Sequence, residues 1–198
     1  MINVEGKQVR RGNDIPRLYF MFRFKKKGML RFISQMEIQN LIVRIFRRLN
    51  FPIVYSEGFH PRPRLGFSPA VRTGIVDLAL YALGVFHFPP EDPIRRFNFL
   101  APRGLEMVEF GETNANFLKR IEGFRYKLLV DSSLVVNPKA LDKDMFAVES
   151  HGSLLVIKYH KKVREKDGLY ELLEELTGTR YPSGFFLAFR TDGIVRGG

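Results

Sequence analysis

Leu18, Phe20, Phe22 and Phe24 occupy every second position of a run that also holds Arg17, Tyr19, Met21 and Arg23. That period of two predicts a strand with one core face and one cationic, aromatic face. A turn at Lys25-Lys26-Lys27-Gly28 and the short apolar Leu30-Arg31-Phe32 follow. Ser34-Gln35-Met36-Glu37 then has the spacing of a capping box, with Ser34 as N-cap and Glu37 three residues into the helix. The helix it opens puts Ile38, Leu41, Ile42, Ile45, Phe46 and Leu49 on one stripe and leaves Gln39, Asn40, Arg44, Arg47 and Arg48 outside. A short strand is expected at Ile53 to Tyr55. Prolines at 61, 63 and 69 argue against regular structure through most of Ser56 to Pro69.

From Val76 to Phe88 almost every residue is apolar, which predicts a strand or pair of strands buried on both faces. Pro89-Pro90-Glu91-Asp92 starts a short helix through Phe99, and Leu105 to Phe110 reads as a closing strand. The order is then repeated. Strand Phe124 to Asp131 precedes a helix opened by Asn137-Pro138, and strands Phe146 to Ser150 and Leu154 to His160 flank the turn His151-Gly152-Ser153. A helix from Gly168 to Thr177 and a strand from Phe185 to Arg190 complete the unit. Two βαββαβ series predict an α+β protein of two tandem ferredoxin-like units, each with helices on one face of an antiparallel sheet. The expected organisation is an extension at 1–16, a first unit at 17–110, a linker at 111–121 and a second unit at 122–198.

Composition adds a core and a charge asymmetry. With 45% hydrophobic residues and 19 Phe among 198, the chain has ample material for burial, which excludes a disordered chain. No run approaches the roughly 18 apolar residues needed to cross a bilayer. The expectation is a soluble, cytoplasmic protein with no membrane association. The absence of cysteine excludes disulfides, thiolate zinc sites, a cysteine nucleophile and a cysteine-ligated iron–sulfur cluster on this chain. The net charge of +11 belongs to residues 1–74, which hold 15 Lys+Arg against 4 Asp+Glu, while the remaining residues hold 17 of each. Charge so confined favours phosphate-rich or acidic partners.

The most distinctive segment runs from Tyr55 to Pro69, YSEGFHPRPRLGFSP. Its prolines limit flexibility at low entropic cost, Gly58 permits a backbone geometry other residues resist, and His60, Arg62 and Arg64 offer donors to phosphate. Together with Arg23, Lys25, Lys26, Lys27, Arg31, Arg44, Arg47 and Arg48 they are the candidate RNA- or partner-binding residues. The bland alternative is a stiff connection whose arginines are merely solvated. Catalytic signals are thin: there is no phosphate loop, dinucleotide turn, zinc-protease helix or nucleophile elbow. The histidines at 60, 87, 151 and 160 lack metal-ligand spacing, so neither a metal nor a cofactor is expected. His60, in its basic loop, is the one candidate for general acid–base cleavage of RNA.

The stretches RLYFMFRF from Arg17, GMLRFIS from Gly28, YSEGFHPRP from Tyr55 and FSPA from Phe67 on to Gly74 resemble the radical SAM-linked protein family. That is a bacterial domain of unknown function, encoded beside or fused behind a cobalamin-type radical S-adenosylmethionine protein. The match is good over residues 17–74 and fades afterwards. Where the family carries an E-Y-x-D pattern, this chain reads Leu80-Tyr81-Ala82-Leu83. The resemblance implies a module that presents a substrate to a radical S-adenosylmethionine partner, with RNA or a ribonucleoprotein as the candidate substrate. A metal-independent endoribonuclease of the CRISPR repeat-processing type and a docking module for an acidic protein are the alternatives.

Overall fold

In the computed structural model, which describes residues 17–141, 146–165, 168–180 and 182–196, the first alternating run becomes strand β1 (Leu18–Lys26). Residues 1–16, expected as an extension, lie outside the described residues. Helix α1 (Gln35–Arg48) begins at the expected capping box. The Ser34 hydroxyl accepts from the Glu37 amide (3.2 Å), and the Glu37 carboxylate accepts from the Ser34 amide (2.8 Å). Then come β2 (Leu65–Phe67), β3 (Val76–Phe86), α2 (Pro93–Leu100) and β4 (Leu105–Thr113). The second half holds β5 (Ile121–Asp131), β6 (Ala147–His151), β7 (Leu154–Lys162), α3 (Leu169–Thr177) and β8 (Phe186–Val195). The result is a mixed α/β protein whose sheet is mostly antiparallel, with three α-helices among the described residues. No described helix is long and apolar enough to cross a membrane.

The strands form one eight-stranded sheet in the order β4-β1-β3-β8-β5-β7-β6, with β2 also paired to β3. Every pairing within β4-β1-β3-β2 and within β8-β5-β7-β6 is antiparallel. The two sets meet through a short parallel pairing, Val76 with Phe189 and Asp77 with Arg190.

Two local expectations, a strand at Ile53 to Tyr55 and a helix at Asn137-Pro138, are corrected. Most of Ser56 to Pro69 is irregular, as expected; β2 occupies only the proline-free positions Leu65–Phe67 between Pro63 and Pro69, because a proline forbids an amide donor only at its own position. Ile53 to Tyr55 forms no strand of its own, only isolated bridges from Ile53 to Phe86 and from Tyr55 to Pro63. The helix expected at Asn137-Pro138 is a 3-10 turn, Pro138–Leu141, over the described residues; one turn fixes several residues for little hydrogen bonding and does not propagate unaided. The stretch expected as a linker continues β4 to Thr113 and then forms a 3-10 turn, Phe117–Arg120, that buries Phe117.

Two apolar clusters flank the sheet. The inward residues of β1, Phe20, Phe22 and Phe24, pack with Phe46 of α1, Phe97 of α2 and Phe86 of β3. Ring centroids there lie 5.1–5.8 Å apart in several edge-on and tilted pairs, the geometry aromatic quadrupoles favour. The second cluster joins Ala79 and Tyr81 of β3 to Tyr126, Leu128 and Val130 of β5 and to Leu172, Leu173 and Leu176 of α3. Alternate residues of β3 therefore belong to different cores.

At the seam between the two sets of strands, Arg190 donates to both carboxylate oxygens of Asp77, one at 2.8 Å, and to the Pro69 carbonyl at 2.7 Å. Its guanidinium lies 4.3 Å from the centroid of the Phe124 ring. Arg190 is 1% and Asp77 0% exposed, so the pair is fully desolvated. Arg23 reinforces the seam by donating to the carbonyls of Leu78 and Thr191, both at 3.0 Å.

Candidate nucleic-acid interface

Helix periodicity sends Arg44 and Arg47 outward on the face of α1 that looks toward the proline-rich loop. Between them lies a groove of about 1060 Å³ lined by Arg44, Arg47, Gln39 and Asn40 from the helix and by Arg62 and Phe67 from the loop and β2. Three arginines from two separate elements thus line one groove. Glu37 at its edge is held below the usual carboxylate range by the hydrogen bonds from Ser34.

The loop opposite the helix is tied at its base. The Ser56 amide donates to the Arg62 carbonyl (2.8 Å), the Arg62 amide to the Ser56 hydroxyl (3.0 Å), and the Arg64 amide to the Val54 carbonyl (2.8 Å). Gly58, at φ +115°, makes the bend that an L side chain resists. Tyr55, at this base, is exposed, with the Arg47 guanidinium 6.0 Å from its ring centroid.

The remaining candidates are dispersed. Arg48 and His60 are exposed and Arg64 half-buried, and none of the three lines the groove. Arg31 stacks on Phe32 at 4.4 Å, and Lys27 pairs with Glu106 at 3.1 Å. Lys25 sits opposite Glu106 in the β1–β4 register. Arg23 is committed to the seam. Lys26 is a correction: its side chain is 0% exposed and its Nζ has no hydrogen-bond partner among the described residues, so it presents no charge to a ligand. Burial lowers its pKa, the nearby Asp77 charge opposes that, and Arg190 adds to it. Among the described residues His60 has no hydrogen-bond partner either.

Two features escaped the sequence reading. Phe59, at the tip of the tied loop, is fully exposed, with a relative accessibility of 102%. An aromatic between Gly58 and His60 in a proline-framed loop was the available signal. The second is a cationic row on β5 and β7, where the register sets Lys127 against Lys158 and Arg125 against His160. Lys158 is offset by Glu149 and Arg125 by Asp192. An equal count of acids and bases over residues 75–198 conceals such a row, because strand alternation sorts charges by face.

The geometry defines a mixed α/β protein with an arginine-lined groove between its first helix and a tied, proline-rich loop. The chain belongs to the family described as uncharacterized protein conserved in bacteria (DUF2344), which matches residues 20–192. A search of curated proteins found no match.

Proposed function

We propose that this protein is a non-catalytic RNA-binding or substrate-presenting module that works with a radical S-adenosylmethionine partner. The observation that carries the RNA half is the convergence of Arg44, Arg47 and Arg62 on one groove. Guanidinium groups are suited to phosphate because they present paired donors and stay charged. The partner half rests on the resemblance of residues 17–74 to the radical SAM-linked proteins; with no cysteine, this chain needs another protein to carry the cluster. The strand orders β4-β1-β3-β2 and β8-β5-β7-β6 support reading the halves as two ferredoxin-like units, divided near residues 111–121. A nuclease would need a second proton-transfer group beside His60, and no hydrogen bond joins His60 to one among the described residues.

The test is equilibrium binding of a fluorescein-labelled mixed-sequence RNA across a salt series. Three phosphate contacts predict a slope of log affinity on log salt of about −2, and Arg62→Ala reduces that slope by about 0.7. Absent or salt-independent binding overturns the RNA reading. Capture of a radical S-adenosylmethionine protein with the tagged chain, retained after RNase, is the expected result for the partner half; its loss with RNase overturns direct contact.

A further inference from the structure

Phe59 has no packing role in its own fold. Phe22, Phe24, Phe46, Phe86 and Phe97 are all buried, whereas Phe59 stands clear of the protein at the tip of a loop whose base is closed by the Ser56–Arg62 hydrogen bonds. Burying a phenylalanine stabilises a fold, and this ring forgoes that contribution. Its presentation is nonetheless organised: Gly58 makes the bend before it and Pro61 and Pro63 stiffen the chain after it, so little conformational freedom is lost when a ligand meets the ring. Tyr55 supplies a second exposed ring on the same loop, beside Arg47.

From these observations we infer that the groove binds unpaired nucleotides, with Phe59 as the platform on which a base stacks while Arg44, Arg47 and Arg62 hold the adjoining phosphates. The inference rests on the RNA reading of the groove and adds the strandedness of the ligand. In a duplex the faces of the bases are occupied by their neighbours, and a lone ring at a loop tip has no face to meet. In a single strand the face is free, and stacking on an aromatic side chain tolerates any base. An exposed phenylalanine also suits a pocket on a protein. The local charge favours the polyanion, since between residues 44 and 64 five arginines stand against the single acid Glu57.

The experiment compares a single-stranded RNA with the same strand annealed to its complement. The full chain is expected to bind the single strand more tightly, and Phe59→Ala to lower that affinity about tenfold without changing duplex affinity or the salt slope, because stacking releases no counterions. The chain has no tryptophan, so Phe59→Trp installs a unique fluorophore whose emission is expected to be quenched by single-stranded RNA. Since Phe59 touches no core, both variants should unfold at the urea concentration of the parent. Arginine-dependent binding that Phe59→Ala leaves unchanged overturns the stacking inference and spares the RNA reading, and directs Phe59 to a protein pocket instead. No binding of either RNA removes the RNA reading itself.

Discussion

Replacing Asp77 by asparagine removes the charge that neutralises Arg190 while keeping an oxygen able to accept from the Ala79 amide, which lies 3.0 Å from the native carboxylate. Arg190 would remain at the seam with the Pro69 carbonyl and the face of Phe124, both of which favour a cation without cancelling its charge. Lys26, opposite Asp77 in the register, would lose the same offset. Breaking one side of a desolvated ion pair costs about 3–5 kcal/mol. That is a large part of the 5–15 kcal/mol available to an ordinary domain and corresponds to about 10 °C in Tm for a chain of this length. Urea unfolding followed by circular dichroism, with calorimetry for Tm, measures the loss. Arg190→Met in the Asp77→Asn background should recover most of it, because an apolar side chain of similar volume removes the stranded charge. A loss below about 1 kcal/mol, or a double mutant whose cost equals the sum of the singles, would refute this account of the seam.

Two further outcomes follow from named groups. Lys26→Met should raise stability by about 1–2 kcal/mol, since it exchanges a buried ammonium with no hydrogen-bond partner among the described residues for an apolar chain. Because burial lowers the Lys26 pKa in the folded state, the unfolded chain binds more protons between that lowered value and 10.5; stability should climb with pH through this window in the parent and be flatter in Lys26→Met, as urea titrations in alkaline buffers would show. Ser34→Ala should cost about 1 kcal/mol by removing the cap of α1. The folded Glu37 pKa is depressed by Ser34, so the box contributes above the ordinary glutamate pKa of 4.5 and fades as pH falls through the lower folded value; thermal melts in acid should show that sensitivity reduced in the Ser34 variant.

Where one face of an element meets one core, the sequence was readable. The alternation of β1 and the stripe of α1 appear as expected, down to the Ser34–Glu37 box. Lys26 shows how a correct pattern was overridden: it shares the parity of Phe20, Phe22 and Phe24, and that parity put it inside although its charge argued for the surface. Arg23 has the other parity and meets the second half, a contact no local pattern encodes. Arg44 and Arg47 are three apart and visibly share a helix face, but the approach of Arg62 depends on the tied loop and on β2, whose short pairing was hidden among prolines. Phe59 went unremarked because composition counts a phenylalanine as core material wherever it stands.

Strand β3 has a consequence for genetic variation. Leu80, Ala82 and Phe86 face one apolar cluster while Ala79 and Tyr81 face the other, and its far edge is divided between β2 and β8. Scarcely a codon in that strand is free to change, whether it specifies an odd or an even position. In β6, by contrast, all five residues are exposed. Inherited substitutions in this chain should therefore accumulate in β6, leaving β3 as the segment that records ancestry longest.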